Sequence, residues 1–187
     1  LNSIAVSDDG AMVVGTQSGG TVWGRFNGWA YPNAADGWGS FAAPDQYRFK
    51  MVDVSSEMSS DRWIPTGSRP SWYRIWAIDT TDGSVWYGDV TCTTKGQYGC
   101  TGMFGNGWWK PNTAKLSHLS VSANGRHLWG VQSWAGVWYL GDGLSGSTWT
   151  QVPAPSGITT ISVSGDGSTV WATTSSGQIY QRPGDVT

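Results

Sequence analysis

Residues 149–180 read WTQVPAPSGITTISVSGDGSTVWATTSSGQIY, and their pattern settles the fold. Ile161 and Val163 alternate with Ser162 and Ser164, as in a strand with one buried face. Gly165-Asp166-Gly167-Ser168 follows, a turn sequence because Gly and Asp tolerate positive φ. TVWATT supplies a second strand, Ser175-Ser176-Gly177 a second turn and QIYQR a third strand. The stretch is a three-stranded antiparallel meander.

The same unit recurs along the chain. Its first phrase reads IAVSDDG from Ile4, VDVSS from Val52, LSVSANG from Leu119 and ISVSGDG from Ile161. In three copies a second phrase starts ten residues later: VGTQSGGTVW from Val14, WGVQSWAGVW from Trp129 and WATTSSGQIY from Trp171. In the remaining copy WAIDTTDGSVW starts at Trp76, 24 residues on, so that copy carries a 14-residue insertion. Between copies lie Trp-led segments, NGWAYP at Trp29, NGWWKP at Trp108 and STWTQVP at Trp149, each suited to an outer fourth strand. Repetition at roughly 40 to 50 residues marks propellers and solenoids. A lone meander cannot bury its apolar face, but meanders stacked around an axis can. The expectation is an all-β fold: a small β-propeller of four blades, each of three to four antiparallel strands. It forms a single domain over residues 1–187, with units at approximately 1–50, 51–117, 118–159 and 160–187. The last unit shows no Trp-led segment, so its outer strand is missing, supplied by a partner chain, or lost by truncation. An unpaired edge favours association, which brings a homodimer into view.

Composition agrees. Gly (27) and Trp (14) are abundant among 187 residues, and 13% are charged. The net charge is −2 with no basic cluster, which speaks against nucleic acid, whose affinity comes from basic contacts to phosphate. No apolar run approaches the ~20 residues of a membrane span, so no membrane insertion is expected. Cys92 and Cys100, in the polar loop TCTTKGQYGC, read as a disulfide that closes a small surface loop. A disulfide implies an oxidising compartment, hence a secreted or extracellular protein, with a cytoplasmic defence protein as the other reading. The Asp-Gly turns at Asp8-Asp9-Gly10, Asp82-Gly83 and Asp166-Gly167 read as turn geometry rather than calcium loops. His118 and His127 sit at no metal-ligand spacing, so no metal and no cofactor are expected.

The order W-x-x-V-P, then ISV-x-x-DG, then VWGV or WA, then G-x-IY resembles the tectonin-type β-propeller repeat. The fit is best over Trp149–Tyr180 and fair over Trp108–Tyr139, while the first and second units share the cores alone. Tectonin-like proteins are commonly lectins, so the resemblance implies a carbohydrate-binding protein that recognises cell-surface or microbial glycans in innate defence.

Sugar recognition needs flat apolar rings for C–H stacking, edged by groups that read hydroxyls. Residues that recur in every unit are read first as packing: Trp76, Trp129 and Trp171 in one register, and Trp23, Trp86, Trp138 and Tyr180 in another. Trp29, Trp108 and Trp149 lead outer strands. The aromatics that break the repeat are the candidate ligand contacts: Trp38, Trp63, Trp72, Tyr73, Trp109 and Trp134, with Arg74 and Asn106 as polar readers. They fall in inserts and turns, where scaffolds carry function. Exposed aromatics also serve protein interfaces, so a protein–protein interaction propeller is the alternative. A propeller-fold glycoside hydrolase is a weaker one. It needs two carboxylates at the reacting bond, and the chain holds one glutamate, Glu57, and aspartates mostly in turns. No nucleophile elbow or phosphate loop is present, so catalytic residues are expected to be absent.

Overall fold

A computed structural model describes residues 1–8, 10, 12–26, 38–41, 47–56, 72–91, 95–96, 99–100, 107–111, 114–133, 135–141 and 148–186. Of Trp72 and Cys100 the backbone alone is described. The described chain is all strand and turn. Blade 1 holds β1 (Ser3–Val6), β2 (Met12–Thr16), β3 (Val22–Phe26) and β4 (Gly39–Phe41), in the order β1-β2-β3-β4. Blade 2 holds β5 (Phe49–Ser55), β6 (Trp72–Asp79) and β7 (Val85–Thr91). A small hairpin, β8 (Lys95–Gly96) and β9 (Gly99–Cys100), precedes its outer strand β10 (Trp108–Trp109). Blade 3 is β11 (His118–Val121), β12 (His127–Gln132), β13 (Gly136–Gly141) and β14 (Thr150–Val152). Blade 4 is β15 (Ile158–Val163), β16 (Thr169–Thr174) and β17 (Ile179–Pro183), with no fourth strand among the described residues. All pairings within blades are antiparallel. The first strands lie side by side, β1 against β5, β5 against β11 and β11 against β15. This is the four-bladed propeller that the repeat predicts.

Blades stack face on face. Met12, Val14, Val22 and Phe41 of blade 1 pack against Phe49, Val52, Val54, Ile75 and Ala77 of blade 2. Trp76, Ile78 and Val85 of blade 2 pack against Leu119, Val121, Leu128 and Leu140 of blade 3. Trp129, Val131, Val137 and Val152 of blade 3 pack against Ile161 and Val170 of blade 4. One register thus points backward to the preceding blade (Val52, Leu119, Ile161). Another points forward to the next (Val14, Trp76, Trp129). Period-2 alternation on each strand gives every blade these two apolar faces.

The hairpins that begin blades 1, 3 and 4 share one device. The side-chain oxygens of Ser7, Ser122 and Ser164 accept from the backbone N–H groups of Met12, His127 and Thr169, at 2.9, 3.0 and 3.0 Å. Gly10, Gly125 and Gly167 close the turns with φ of 68°, 69° and 77°, a region costly for residues with a Cβ. Asp166 accepts from Ser164 Oγ, Ser168 N–H and Ser168 Oγ, which holds its pKa down at about 2. The carboxylate of this Asp-Gly turn therefore serves the turn itself. Among the described residues no group of three or more His, Cys, Asp or Glu side chains is arranged to hold a metal ion.

The outer strand of blade 1 differs from expectation. It is Gly39–Phe41, paired as Val22↔Phe41 and Gly24↔Gly39, so the next step of the register sets Trp38 beside Arg25. Trp108 pairs with Gly88 in the same place in blade 2, and Trp149 falls beside Leu140 in blade 3. Trp38, not Trp29, leads that strand, and Trp29 lies outside the described residues. The Cys92–Cys100 pairing also lies outside them, because Cys92 does.

Candidate functional site

Neighbouring inner strands are latched by side chains. Val52 N–H donates to Ser3 Oγ at 3.3 Å, across the junction of blades 1 and 2. Val121 N–H donates to Asp53 Oδ2 at 2.8 Å, across blades 2 and 3. Ile161 N–H donates to His118 Nδ1 at 3.4 Å and Val163 N–H to Ser120 Oγ at 3.2 Å, across blades 3 and 4. Each acceptor flanks the first residue of the repeated phrase, one position before it or one after. Thr160 and Ser162 hold those two positions in blade 4 and face blade 1.

The junction of blades 4 and 1 is built differently from the other three. At the turn end the ring draws together: Ala123 N–H donates to Gly165 C=O, and a Cβ on Gly165 would come within 2.8 Å of Asp8 Oδ1. Along the strands no apolar cluster joins blade 4 to blade 1 among the described residues. Trp171 holds the forward-facing register of Trp76 and Trp129, which are 0% exposed, yet Trp171 is 48% exposed. Ile4 and Val6 hold the backward-facing register of Val52 and Val54 and are also exposed, while Val52 and Val54 are buried. The expected core role of Trp171 is corrected: its packing partner would be a blade face that does not close on it.

What remains is a cleft of about 440 Å³ on the propeller axis, lined by all four inner strands and by Trp171 and Thr173 of β16. Its apolar wall is Trp171, Ile4 and Val6. Its polar wall is Ser3, Asp53, His118, Ser120, Thr160 and Ser162. Thr160 and Thr173 hydroxyls bond to each other at 2.6 Å. Burial raises the Asp53 carboxyl to about 6, against the lowering effect of the N–H groups of Val121 and Val54. Burial pushes the His118 imidazole down from its ordinary value. The cleft thus presents one aromatic face, several hydroxyls, a carboxyl raised to about 6 and an imidazole lowered from its ordinary value.

The residues singled out from sequence are scattered. Tyr73 is buried in the interface of blades 1 and 2. Arg74 is buried and forms a two-pronged pair with Asp89, Nε to Oδ1 at 2.6 Å and Nη2 to Oδ2 at 2.8 Å. Its guanidinium lies 4.2 Å from the centroid of the Tyr87 ring. Both residues belong to blade packing, because β6 starts at Trp72 and carries them into the sheet rather than into the preceding insert. Trp109 is half-buried in β10 and stacked on Tyr87, centroids 5.5 Å apart and planes at 28°. Trp38 is half-buried at the head of β4. The Trp72 side chain, Trp63, Trp134 and Asn106 lie outside what the structure describes. Trp171, Asp53 and His118 are the residues that sequence reading missed.

No family model matches the chain, and no curated protein matches it. Solved structures do. One is the Dos1 propeller, with TM-score 0.49 and 14% identity over 97% of this chain and 45% of that chain. Another is hydrazine synthase of Kuenenia stuttgartiensis, with TM-score 0.45 and 14% identity over 98% of this chain and 58% of that chain. A third is the Cps50 (Swd1) β-propeller domain of Myceliophteria thermophila, with TM-score 0.41 and 10% identity over 97% of this chain and 83% of that chain. The chain spans about half the length of the first two solved chains it matches. The propeller assignment rests on the sheets described above. A rigid propeller supports binding in general, and what it binds is set by the site it carries.

Proposed function

We propose that this protein is a non-enzymatic carbohydrate-binding propeller and that the axial cleft takes a saccharide. The observation that carries this reading is Trp171, an indole held in a packing register but left about half exposed among hydroxyls. A pyranose ring stacks its C–H face on an indole, and its hydroxyls exchange hydrogen bonds with Ser, Thr, Asp and His side chains. The cleft volume, about 440 Å³, falls in the range of small-ligand sites. The tectonin-type resemblance points to the same ligand class. Hydrolysis is not proposed, because Asp53 is the one carboxylate lining the cleft among the described residues and glycoside cleavage uses two.

The test is a glycan array that includes bacterial and methylated sugars, probed with the labelled protein. Selective binding that free sugar competes away, and that Trp171→Ala weakens by about tenfold or more, is the expected result. A blank array from a sample with native circular dichroism removes the saccharide. The second reading, a protein-interaction propeller, is favoured by the exposed Ile4 and Val6 that line the cleft with Trp171, an apolar set of the kind that anchors interfaces. Free sugar does not compete for binding of that kind.

A further inference from the structure

We propose that blade 4 carries a strand-addition site: its outer edge takes an extended peptide led by a tryptophan-like side chain. The inference does not rest on the saccharide reading, because the site lies on the other face of blade 4.

Blades 1 to 3 each have an outer strand on their third strand, and blade 4 has none among the described residues. The edge of β17 is set to receive one. Thr174 N–H donates to Gln178 C=O and Gly184 N–H donates to Ser168 C=O. Bonding alternates along an antiparallel strand, so residues 178, 180, 182 and 184 bond inward, and Ile179 and Gln181 turn their N–H and C=O outward. Val137 and Tyr139 are their counterparts in blade 3, where they pair with Val152 and Thr150 of β14. Pro183, which has no N–H, ends the usable edge.

A cavity beside this edge specifies the side chain. In blade 2 the outer-strand Trp108 sits opposite Gly88 and is buried at the interface with blade 1. In blade 3 Trp149 takes the equivalent place beside Leu140 and packs into the interface with blade 2. The equivalent place in blade 4 is opposite Arg182. There a cavity of about 330 Å³ lies between blades 3 and 4, bounded by Trp129, Val152, Val170, Ala172, Tyr180 and Arg182. It is continuous with the packed interface of those blades, since Trp129, Val152 and Val170 line both. The Arg182 guanidinium already lies 5.3 Å from the Trp129 ring centroid, and a second indole beside it meets the same cation. Backbone pairing at Ile179 and Gln181 supplies register, and the cavity supplies selectivity, as in other strand-addition sites.

The probe is the peptide STWTQVPAP, residues 147–155 of the chain itself, labelled and titrated into the full protein by fluorescence anisotropy. Saturable binding is expected, with a loss of about tenfold or more when its tryptophan becomes alanine. N-methylation at the peptide's Thr150 or Val152 removes an amide that pairs with the edge and is expected to cost a similar factor. N-methylation at Gln151, whose amide points away from β17, is expected to leave affinity unchanged. Ala172→Leu narrows the cavity from within and is expected to lower affinity about tenfold, with circular dichroism and melting confirming that it folds. No binding by the folded protein overturns the proposal. So does an equal loss at all three N-methyl positions, or full affinity in the Ala172→Leu protein.

Discussion

Trp76 and Trp171 hold the same place in the repeat, so alanine at each measures what the open junction does to a tryptophan. An indole side chain buries on the order of 200 Å². At about 25 cal/mol per Å² the transfer term is about 5 kcal/mol, and Trp-to-Ala changes in packed cores cost about 3–5 kcal/mol. Trp76 is 0% exposed and packs against Tyr87, ring centroids 5.2 Å apart, so Trp76→Ala is expected to cost about 4 kcal/mol. Trp171 is 48% exposed, which roughly halves the transfer term, and its removal leaves open solvent rather than an enclosed void. Trp171→Ala is therefore expected to cost about 2 kcal/mol. Urea unfolding followed by far-ultraviolet circular dichroism reads both. At about 2–4 °C per kcal/mol for a chain of this length, the Trp76 variant melts about 8–16 °C lower and the Trp171 variant a few degrees lower. Equal losses in the two variants would refute the open junction, because they would mean that blade 1 or another surface covers Trp171 in solution.

The Asp53 carboxyl, raised to about 6 from an ordinary 3.8, binds a proton more tightly in the folded chain than in the unfolded one. Its contribution to stability is therefore full below about pH 4 and is lost as pH rises through about 6. At about 1.4 kcal/mol per pH unit the gap is worth about 3 kcal/mol. Asp53→Asn is expected to remove that component, and the difference between protein and variant, followed by urea unfolding from pH 4 to 7, isolates it from His118 and the other carboxylates. A difference that stays flat with pH would contradict the assignment. A Cβ on Gly184 would fall on the Gly167 backbone, which cannot move aside, whereas one on Gly177 meets nothing within 4 Å. Gly184→Ala is thus expected to cost about 2–3 kcal/mol and Gly177→Ala about 1–2, the latter for its φ of 83° alone. Equal melting temperatures for the two variants would refute the clash. Arg74→Lys keeps the charge but loses the two-pronged bond to Asp89 and the planar contact with Tyr87, and is expected to cost about 2–3 kcal/mol by urea unfolding. A change within error would mean that the pair contributes nothing.

The blades were legible because strand alternation and Gly-containing turns are local. ISVSGDG specifies a strand and the turn that ends it without reference to anything distant. The outer strand of blade 1 differs from the sequence expectation for a non-local reason. NGWAYP and NAADGWGSF both offer a tryptophan, and the choice depends on which one can pair with β3, where Gly24 leaves room for the ring of Phe41. Tyr73 and Arg74 read as loop residues in the sequence because the insertion gives no clear end, yet β6 begins at Trp72. Trp171 illustrates the sharper limit. Its own phrase, WATTSSGQIY, is as regular as that of Trp129, and what sets the two apart is the blade that follows, not the sequence around them.

That dependence on the next blade also explains how a repeat can supply a site without a special motif. Ser3, Asp53, His118 and Ser120 each accept one backbone N–H from the following inner strand. Thr160 and Ser162 stand in the same two registers at the junction where, among the described residues, no following strand donates to them. The groups that bind the blades to each other are of the kind a hydroxylated ligand needs. On the saccharide reading proposed above, an open junction would let them, and the packing tryptophan beside them, serve recognition with no change in the repeat. A variant tests this conversion directly. Replacing Thr160 and Ser162 together by valine and alanine removes the unlatched hydroxyls while leaving the three closed junctions intact. Both residues are exposed, so stability is expected to change by less than about 1 kcal/mol. Saccharide affinity, read by titration calorimetry with the sugar found on the array, is expected to fall about tenfold. Unchanged affinity with unchanged stability would show that these hydroxyls do not read the ligand.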